Sequence, residues 1–360
     1  MKAAVLRKAG EPLTIEEVDL DHPRADEVRI RVKASGLCHS DLHFITGDFA
    51  AQMPMVLGHE AAGVVEAVGG DVRGFKAGDR VVTCVSAFCG ECGECQSGHS
   101  HRCDDKPGRK REDVVQAISS NSQPIFRIGN LGGFAEAMVV NHRSVAKLPE
   151  EMPFDAACLM GCGVLTGAGA VLNGAKVEQG SSVAVIGCGG VGLNVIQAAR
   201  IAGATQIIAI DLSAAKLELA KLFGATHTVI GSADSPAEIL ELSGGGVDYA
   251  FEVIGLTSTI RDAFLMLRKG GTAVLIGIPK MGAEVSLPVL PFVMKEVRVI
   301  GSLMGSVPFQ VFIPQLARHY LNGVLKLDEL VSNRIALEDI NDGFAKMSSG
   351  DIARSVIMFD

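Results

Sequence analysis

No stretch of the sequence reaches the roughly 18 uncharged apolar residues that a membrane-spanning helix requires. Net positive charge is missing too. Lys and Arg number 33 against 41 Asp and Glu, a formal charge of −8, so nucleic acid and anionic membrane find no global electrostatic support as partners. The opening residues Met1 to Lys8 carry charges but no apolar core for a signal peptide. Internal repeats and low-complexity segments are absent as well. What remains is a chain of 360 residues, 48 % hydrophobic and 21 % charged, ordinary for a globular protein and long enough for two domains. A cytoplasmic location is the expectation.

The nine cysteines would mark a disulfide scaffold in a small secreted domain. In a large chain of a reducing compartment, clustered cysteines instead bind metal or do chemistry. Six of the nine lie between Cys38 and Cys103, so spacing has to decide their use.

Two regimes divide the chain. Residues 1–163 hold short Val/Ile runs between Gly, Pro and Asp, such as Glu27 to Val32, Gly63 to Val68 and Arg80 to Val85, which predict a β-rich domain. Residues 164–304 alternate apolar strands with amphipathic helices. Six strands are expected: Ser182 to Ile186, Gln206 to Ile210, Thr226 to Ile230, Val247 to Val253, Thr272 to Ile278 and Val297 to Ile300. Helices at Val191 to Ala202 and Ser213 to Phe223 separate some of them. This alternation predicts an α/β fold with a doubly wound, six-stranded parallel sheet of Rossmann type. Residues 305–360 hold a helix, Ile313 to Leu321, and a strand, Ser355 to Phe359, and are too few to fold alone. They are expected to rejoin the first domain.

The first of the six strands runs into Gly187-Cys188-Gly189-Gly190-Val191-Gly192, a Gly-x-Gly-x-x-Gly that closes a strand and opens a helix. Gly187 permits the tight turn, Gly189 lets backbone approach a pyrophosphate, and Gly192 lets helix pack on strand. The helix N-terminus then offers its free N–H groups to the phosphates. Among 42 glycines such a motif arises by chance, but here Asp211 follows 24 residues after Gly187, at the end of the next strand. An acid there accepts hydrogen bonds from ribose hydroxyls and repels a 2′-phosphate, which favours NAD over NADP.

Cys89, Cys92, Cys95 and Cys103 form a Cys-x2-Cys-x2-Cys-x7-Cys loop. Four soft ligands on one compact loop suit a closed tetrahedral zinc site. Sets of four cysteines also hold iron–sulfur clusters, but nothing else in the chain suggests electron transfer. A second, dispersed set joins Cys38, His59 and Cys162. Two thiolates and an imidazole make a three-ligand zinc site with an open fourth position, the ligand set known for alcohol dehydrogenase.

Here the residues resemble the zinc-dependent alcohol dehydrogenases of the medium-chain dehydrogenase/reductase superfamily. Gly58-His59-Glu60-Ala61-Ala62-Gly63, with Gly69 and Val72, is similar to that family's zinc signature, and the likeness runs in order from Met1 to Asp360. The Gly301-Ser302-Leu303-Met304-Gly305-Ser306 segment resembles the branch that contains glutathione-dependent formaldehyde dehydrogenase. The resemblance implies a GroES-like catalytic domain beside the Rossmann domain. It implies an enzyme that moves a hydride between a small-molecule alcohol or aldehyde and NAD, or else acts on S-(hydroxymethyl)glutathione or a similar thiol adduct. By likeness, Cys38, His59 and Cys162 hold a catalytic zinc, Glu60 lies near it and Asp41 supports His59. Ser40 touches the substrate hydroxyl and His43 relays its proton. The coenzyme contacts it implies are Gly187, Gly189, Gly190, Val191, Gly192, Asp211, Lys216, Ile254, Ile278, Arg354, His39 and Thr166. His39 stands where many relatives place an arginine. A long loop kept between Cys103 and Cys162 implies a homodimer. Val85 and Ile128 stand where relatives carry aromatic rings, which implies a roomier pocket. Arg109-Lys110-Arg111, in the long loop, is a solvated run of charge or a greeting surface for an anionic substrate.

Overall fold

The computed structural model describes residues 1–110, 113, 116–349 and 354–360. Arg111 lies outside the described residues. The chain divides into two compact units. The first comprises Met1–Cys162, Pro308–Gly323 and Leu327–Asp360, and the second Gly163–Val307 with Val324–Lys326.

The first unit is built on strands whose alternate side chains are apolar. The long strands β1 (Glu27–Gly36) and β2 (Glu60–Val68) pair antiparallel, with register shifts between Arg29 and Ile30 and between Val32 and Ala34. Their inward residues Val28, Ile30, Val32, Ala61 and Val65 join one buried core with Leu131, Met138 and Val145. The last strand of the tail, Arg354–Met358, pairs antiparallel with the end of β1 (Val356 opposite Gly36) and parallel with Val331–Ile335. Between β1 and β2 a helix, α1 (His39–Thr46), leaves the sheet through Leu37 and Cys38. That short segment delivers the side chains discussed below.

The second unit holds a six-stranded sheet, all parallel: β3 (Ser182–Ile186), β4 (Gln206–Asp211), β5 (His227–Ile230), β6 (Val247–Glu252), β7 (Leu267–Leu275) and β8 (Arg298–Gly301). Their spatial order is β5-β4-β3-β6-β7-β8, so the winding reverses between β3 and β6. This order is the doubly wound one, and its crevice lies at that reversal. The strand expected from Thr272 to Ile278 begins five residues earlier and stops at Leu275. Its register against β6 breaks between Val247 and Tyr249, and the N–H groups of Ile276 and Gly277 both turn to the Glu252 carbonyl. Among the described residues, no single helix is long and apolar enough to cross a membrane.

The charged run of the long loop is partly buried. Arg109 is 3 % exposed, and its guanidinium forks onto both oxygens of Glu27 (2.9 and 2.8 Å) while also donating to Asp21 Oδ2 (2.6 Å) and the His22 carbonyl (3.1 Å). It is an anchor for the loop, so the idea that it greets a substrate is corrected. Lys110 pairs with Asp105 at 3.1 Å. Replacing Arg109 with Ala leaves the buried Glu27 without its fork and is expected to cost about 3–5 kcal/mol, read as a lower denaturant midpoint. Lys in its place should recover little, since one ammonium cannot fork. A midpoint equal to that of the wild type would place the loop's anchorage elsewhere.

Candidate active site

Cys38 is the N-cap of α1, in extended backbone (φ −124°, ψ 151°). Three positions on, the helix turns Asp41 fully inward, and its buried carboxylate is shared by three groups. Oδ2 accepts the Cys38 N–H (3.3 Å), while Oδ1 accepts the Gly58 N–H (3.0 Å) and lies 3.1 Å from His59 Nδ1. A carboxylate only accepts, so Nδ1 carries a proton toward Asp41 and Nε2 is the nitrogen left facing the thiols. That Nε2 is buried and has no hydrogen-bond partner among the described residues. The Sγ atoms of Cys38 and Cys162, a ring nitrogen of His59 and a carboxylate oxygen of Glu60 all lie within 4.8 Å of one another. An orphaned imidazole nitrogen facing two thiols is the donor set of a zinc site, so the residues fit the metal.

The electrostatics of this cluster point the same way. The hydrogen bond from Cys162 holds the Cys38 thiol well below its usual range despite burial, helped by Arg354 and His59, and pushes the Cys162 thiol up. Burial opposes charge on His59, yet Asp41 and Cys38 together hold it well above the usual imidazole range. Burial raises Glu60 to about 7, against the pull of Arg354. Arg354 is 4 % exposed, lies 3.5 Å from Glu60 Oε1 and donates to the Leu37 carbonyl at 3.3 Å. The resemblance gave this residue to a pyrophosphate; in the first unit its partners are Glu60 and Leu37.

Ser40 is half-buried, with Oγ 3.8 Å from Cys38 Sγ. His43 lies one turn further, half-exposed, with Nδ1 3.2 Å from Asp48 Oδ2. Asp48 escaped the sequence reading, although a Gly followed by Asp after a helix is a signal for a chain reversal onto that helix. His39 is exposed at the start of α1. Val85 is half-buried, and Ile128 packs into the core with Leu37 and Phe134.

The four cysteines of the loop also converge, their Sγ atoms within 4.8 Å of one another. Cys89 to Cys95 and Cys92 to Cys103 are 3.9 Å apart. Disulfide sulfurs lie about 2 Å apart, whereas a tetrahedron with zinc–sulfur bonds of about 2.3 Å has edges of about 3.8 Å. Backbone N–H groups of Cys89, Glu91 and Cys92 donate to these sulfurs, and the amides of Asp104 and Cys95 pull Cys92 down to about 6.

In the second unit Gly187 ends β3 at φ +100°, and a Cβ on Gly192 would lie 1.8 Å from the Gly187 carbonyl oxygen. Both positions therefore require glycine. Gly189 faces open space as N-cap of the helix Gly190–Ala202, which contains Val191. A side-chain cap is lacking there, so the helix N–H groups can bind an anion. Asp211 ends β4 half-buried. Oδ2 accepts the Cys188 N–H (2.8 Å) and Oδ1 the Ser213 N–H (2.9 Å), which ties the acid to the glycine turn. Each oxygen keeps a lone pair for a ribose hydroxyl. Lys216 lies half-buried in the first turn of the next helix. Ile254 and Ile278 are 45 % and 57 % exposed past the ends of β6 and β7, an apolar ledge. Thr166 is buried, its hydroxyl 3.9 Å from the Met304 sulfur.

Comparison with known proteins agrees with this geometry. Residues 24–150 match the family described as alcohol dehydrogenase GroES-like domain, and 190–319 the family described as zinc-binding dehydrogenase. The chain is 41 % identical to an alcohol dehydrogenase class-3 of Oryza sativa, covering 100 % of this chain and 97 % of the relative. It is 37 % identical to an S-(hydroxymethyl)glutathione dehydrogenase of Saccharomyces cerevisiae, with 99 % and 96 % covered. The crystal structure of benzyl alcohol dehydrogenase from Acinetobacter calcoaceticus superposes with a TM-score of 0.94 at 31 % identity, over 100 % of this chain and 99 % of that one.

Metal analysis of the purified protein is expected to find about two zinc ions per chain. Cys38→Ser should lose about one of them together with turnover. Cys92→Ser should lose the other and chiefly lower thermal stability, since a closed zinc site contributes folding energy. The two phenotypes reversed would exchange the roles of the sites.

Proposed function

The chain belongs to the zinc-dependent alcohol dehydrogenase family, and on that premise we propose that it interconverts a primary alcohol and its aldehyde with NAD. The observation that carries this reading is the orphaned His59 Nε2, buried between two thiols and fixed by Asp41. Zinc held by Cys38, His59 and Cys162 would supply Lewis acidity, and NAD the hydride acceptor. A second zinc on Cys89, Cys92, Cys95 and Cys103 would be architectural.

The chain's own residues do the rest. Asp41 sets the tautomer and direction of His59. Arg354 keeps a positive charge beside Glu60, so the carboxyl can lie near the metal without leaving the cluster uncompensated. Ser40, against Cys38, can donate and accept a proton at once. His43 takes the outer end of the proton path, because an imidazole exchanges protons near neutral pH. In this reading residues 1–163 with 305–360 carry the catalytic chemistry and 164–304 hold the coenzyme. The glycine turn with Gly190 and Val191 cradles its phosphates, Asp211 and Lys216 its ribose, and Ile254, Ile278 and Thr166 its ring end.

A thiol adduct such as S-(hydroxymethyl)glutathione is the second reading, favoured by the names of the relatives. Against it stands Arg109, whose charge is consumed inside the fold. All nine cysteines carry free thiols, which suits a cytoplasmic location. We also propose a homodimer. Strand β8 has one neighbour among the described residues, and Met281, Leu290, Val293 and Met294 in the segment leading into it are 69–95 % exposed. An open strand edge with an apolar patch is satisfied by a two-fold copy of itself.

NADH formation should follow addition of primary alcohols, and formaldehyde with glutathione tests the second reading; silence with both would defeat the reaction proposed. NAD should be preferred, since Asp211 would set a negative charge against a 2′-phosphate. Asp211→Ser should narrow the NAD/NADP ratio of kcat/KM about 10- to 100-fold, roughly 1.4–3 kcal/mol. A wild type that already prefers NADP would end that argument. Sedimentation should give twice the chain mass of 37.7 kDa, and Val293→Glu should shift it toward the monomer. A wild type that sediments as one chain rejects the dimer.

A further inference from the structure

Helix α1 carries a second Asp–His pair that the reaction above leaves unexplained. The helix ends at Thr46, and Gly47, left-handed at φ 83°, caps it through an N–H to the Phe44 carbonyl. This reversal swings Asp48 back over the last turn. Its Oδ2 lies 3.2 Å from His43 Nδ1 and accepts the Thr46 hydroxyl at 2.8 Å. The next residue closes the other side. The Phe49 N–H donates to the His43 carbonyl at 3.2 Å, and its ring stands 4.9 Å from the imidazole at 39°. The ring of His43 is thus held at one nitrogen and along one face, while remaining 36 % exposed.

We propose that Asp48 is a positioning residue for the proton path: its carboxylate keeps the proton of neutral His43 on Nδ1, so that Nε2 is the nitrogen that takes up and releases the substrate's proton. The inference rests on the reading of His43 as the outer relay. An imidazole that wanders between tautomers presents a lone pair at a given nitrogen only part of the time, whereas one tied to an acceptor-only group presents it always. As a surface ion pair the contact would be worth little. As a tautomer lock it acts without needing to stabilise the fold. Asp41 acts on His59 through the same hydrogen bond, in the dark of the core.

The test uses the full-length protein labelled with 15N-histidine, the His43 ring signals being assigned by their loss in His43→Gln. Wild-type His43, when neutral, should show a protonated Nδ1 and a bare Nε2. Asp48→Asn, which can donate as well as accept, should give a mixture of tautomers. Its alcohol oxidation should fall about 3- to 10-fold, below the roughly 10- to 100-fold loss expected for His43→Gln, and imidazole buffer should partly restore it. Asp48→Glu keeps an acceptor-only group and should recover most of both signals. An unchanged tautomer in Asp48→Asn overturns the proposal, as does a changed tautomer with full turnover. His43→Gln as active as the wild type would instead defeat the relay reading itself, while the ring signals still report whether Asp48 holds the proton.

Discussion

One buried carboxylate organises the first unit's chemistry. Asp41 accepts from the N–H that opens α1, from the N–H of Gly58 and from His59. It therefore fixes two loops and one imidazole relative to each other. A charge buried this completely is costly unless several donors meet it. The chain supplies three, two of them backbone groups that also need partners of their own. Removing that oxygen pair would orphan both amides and free the ring to turn, so the metal trio's geometry depends on a residue that offers the metal nothing.

The surrounding charges explain why the pocket asks for a cation. Glu60 and the Cys38 thiol, which is held well below its usual range, are both buried, and Arg354 faces them from the last strand of the chain. One guanidinium, with the His59 imidazole that Asp41 and Cys38 hold well above its usual range, offsets part of this negative charge. Lifting Glu60 to about 7 relieves part of the remainder by protonation; a divalent ion among the thiols would relieve it without a proton. The return of the C-terminal segment to β1 does more than extend the sheet: its strand places an arginine beside Glu60.

What the sequence made legible was local. The six strands of the parallel sheet show as apolar runs, the glycine turn shows by its spacing, and the four-cysteine loop lies within 15 residues. Cys38, His59 and Cys162 were found through likeness, since 124 residues separate the first from the last and spacing alone carries no signal at that range. The long-range ion pairs were not legible. Arg109 meets Glu27 across 82 residues, so a run of three basic residues read as solvated charge or a docking surface, when its first member is a buried fork. Nor does anything near Arg354 in sequence name Glu60 as a partner. The start of β7 at Leu267 was hidden by Gly270 and Gly271, which break the apolar run; Leu267 pairs with Val247 and the ladder resumes only at Thr272.

The two Asp–His pairs of α1 show how burial alone separates roles for one hydrogen bond. In both, a carboxylate oxygen lies about 3 Å from Nδ1 (3.1 Å for His59, 3.2 Å for His43). Around His59 the ring is 2 % exposed, water cannot reach Nε2, and the lone pair there is useful only to something that displaces no hydration, such as a metal ion. Around His43 the ring is 36 % exposed, so Nε2 can exchange with solvent and a tightly bound ion would gain nothing over water. His43 lies on α1 and His59 just before β2, so the chain sets one ring where a ligand is selected and the other where a proton carrier is. The chemistry of each histidine follows from how deeply its ring is buried, and the acid beside each one decides only which nitrogen is used.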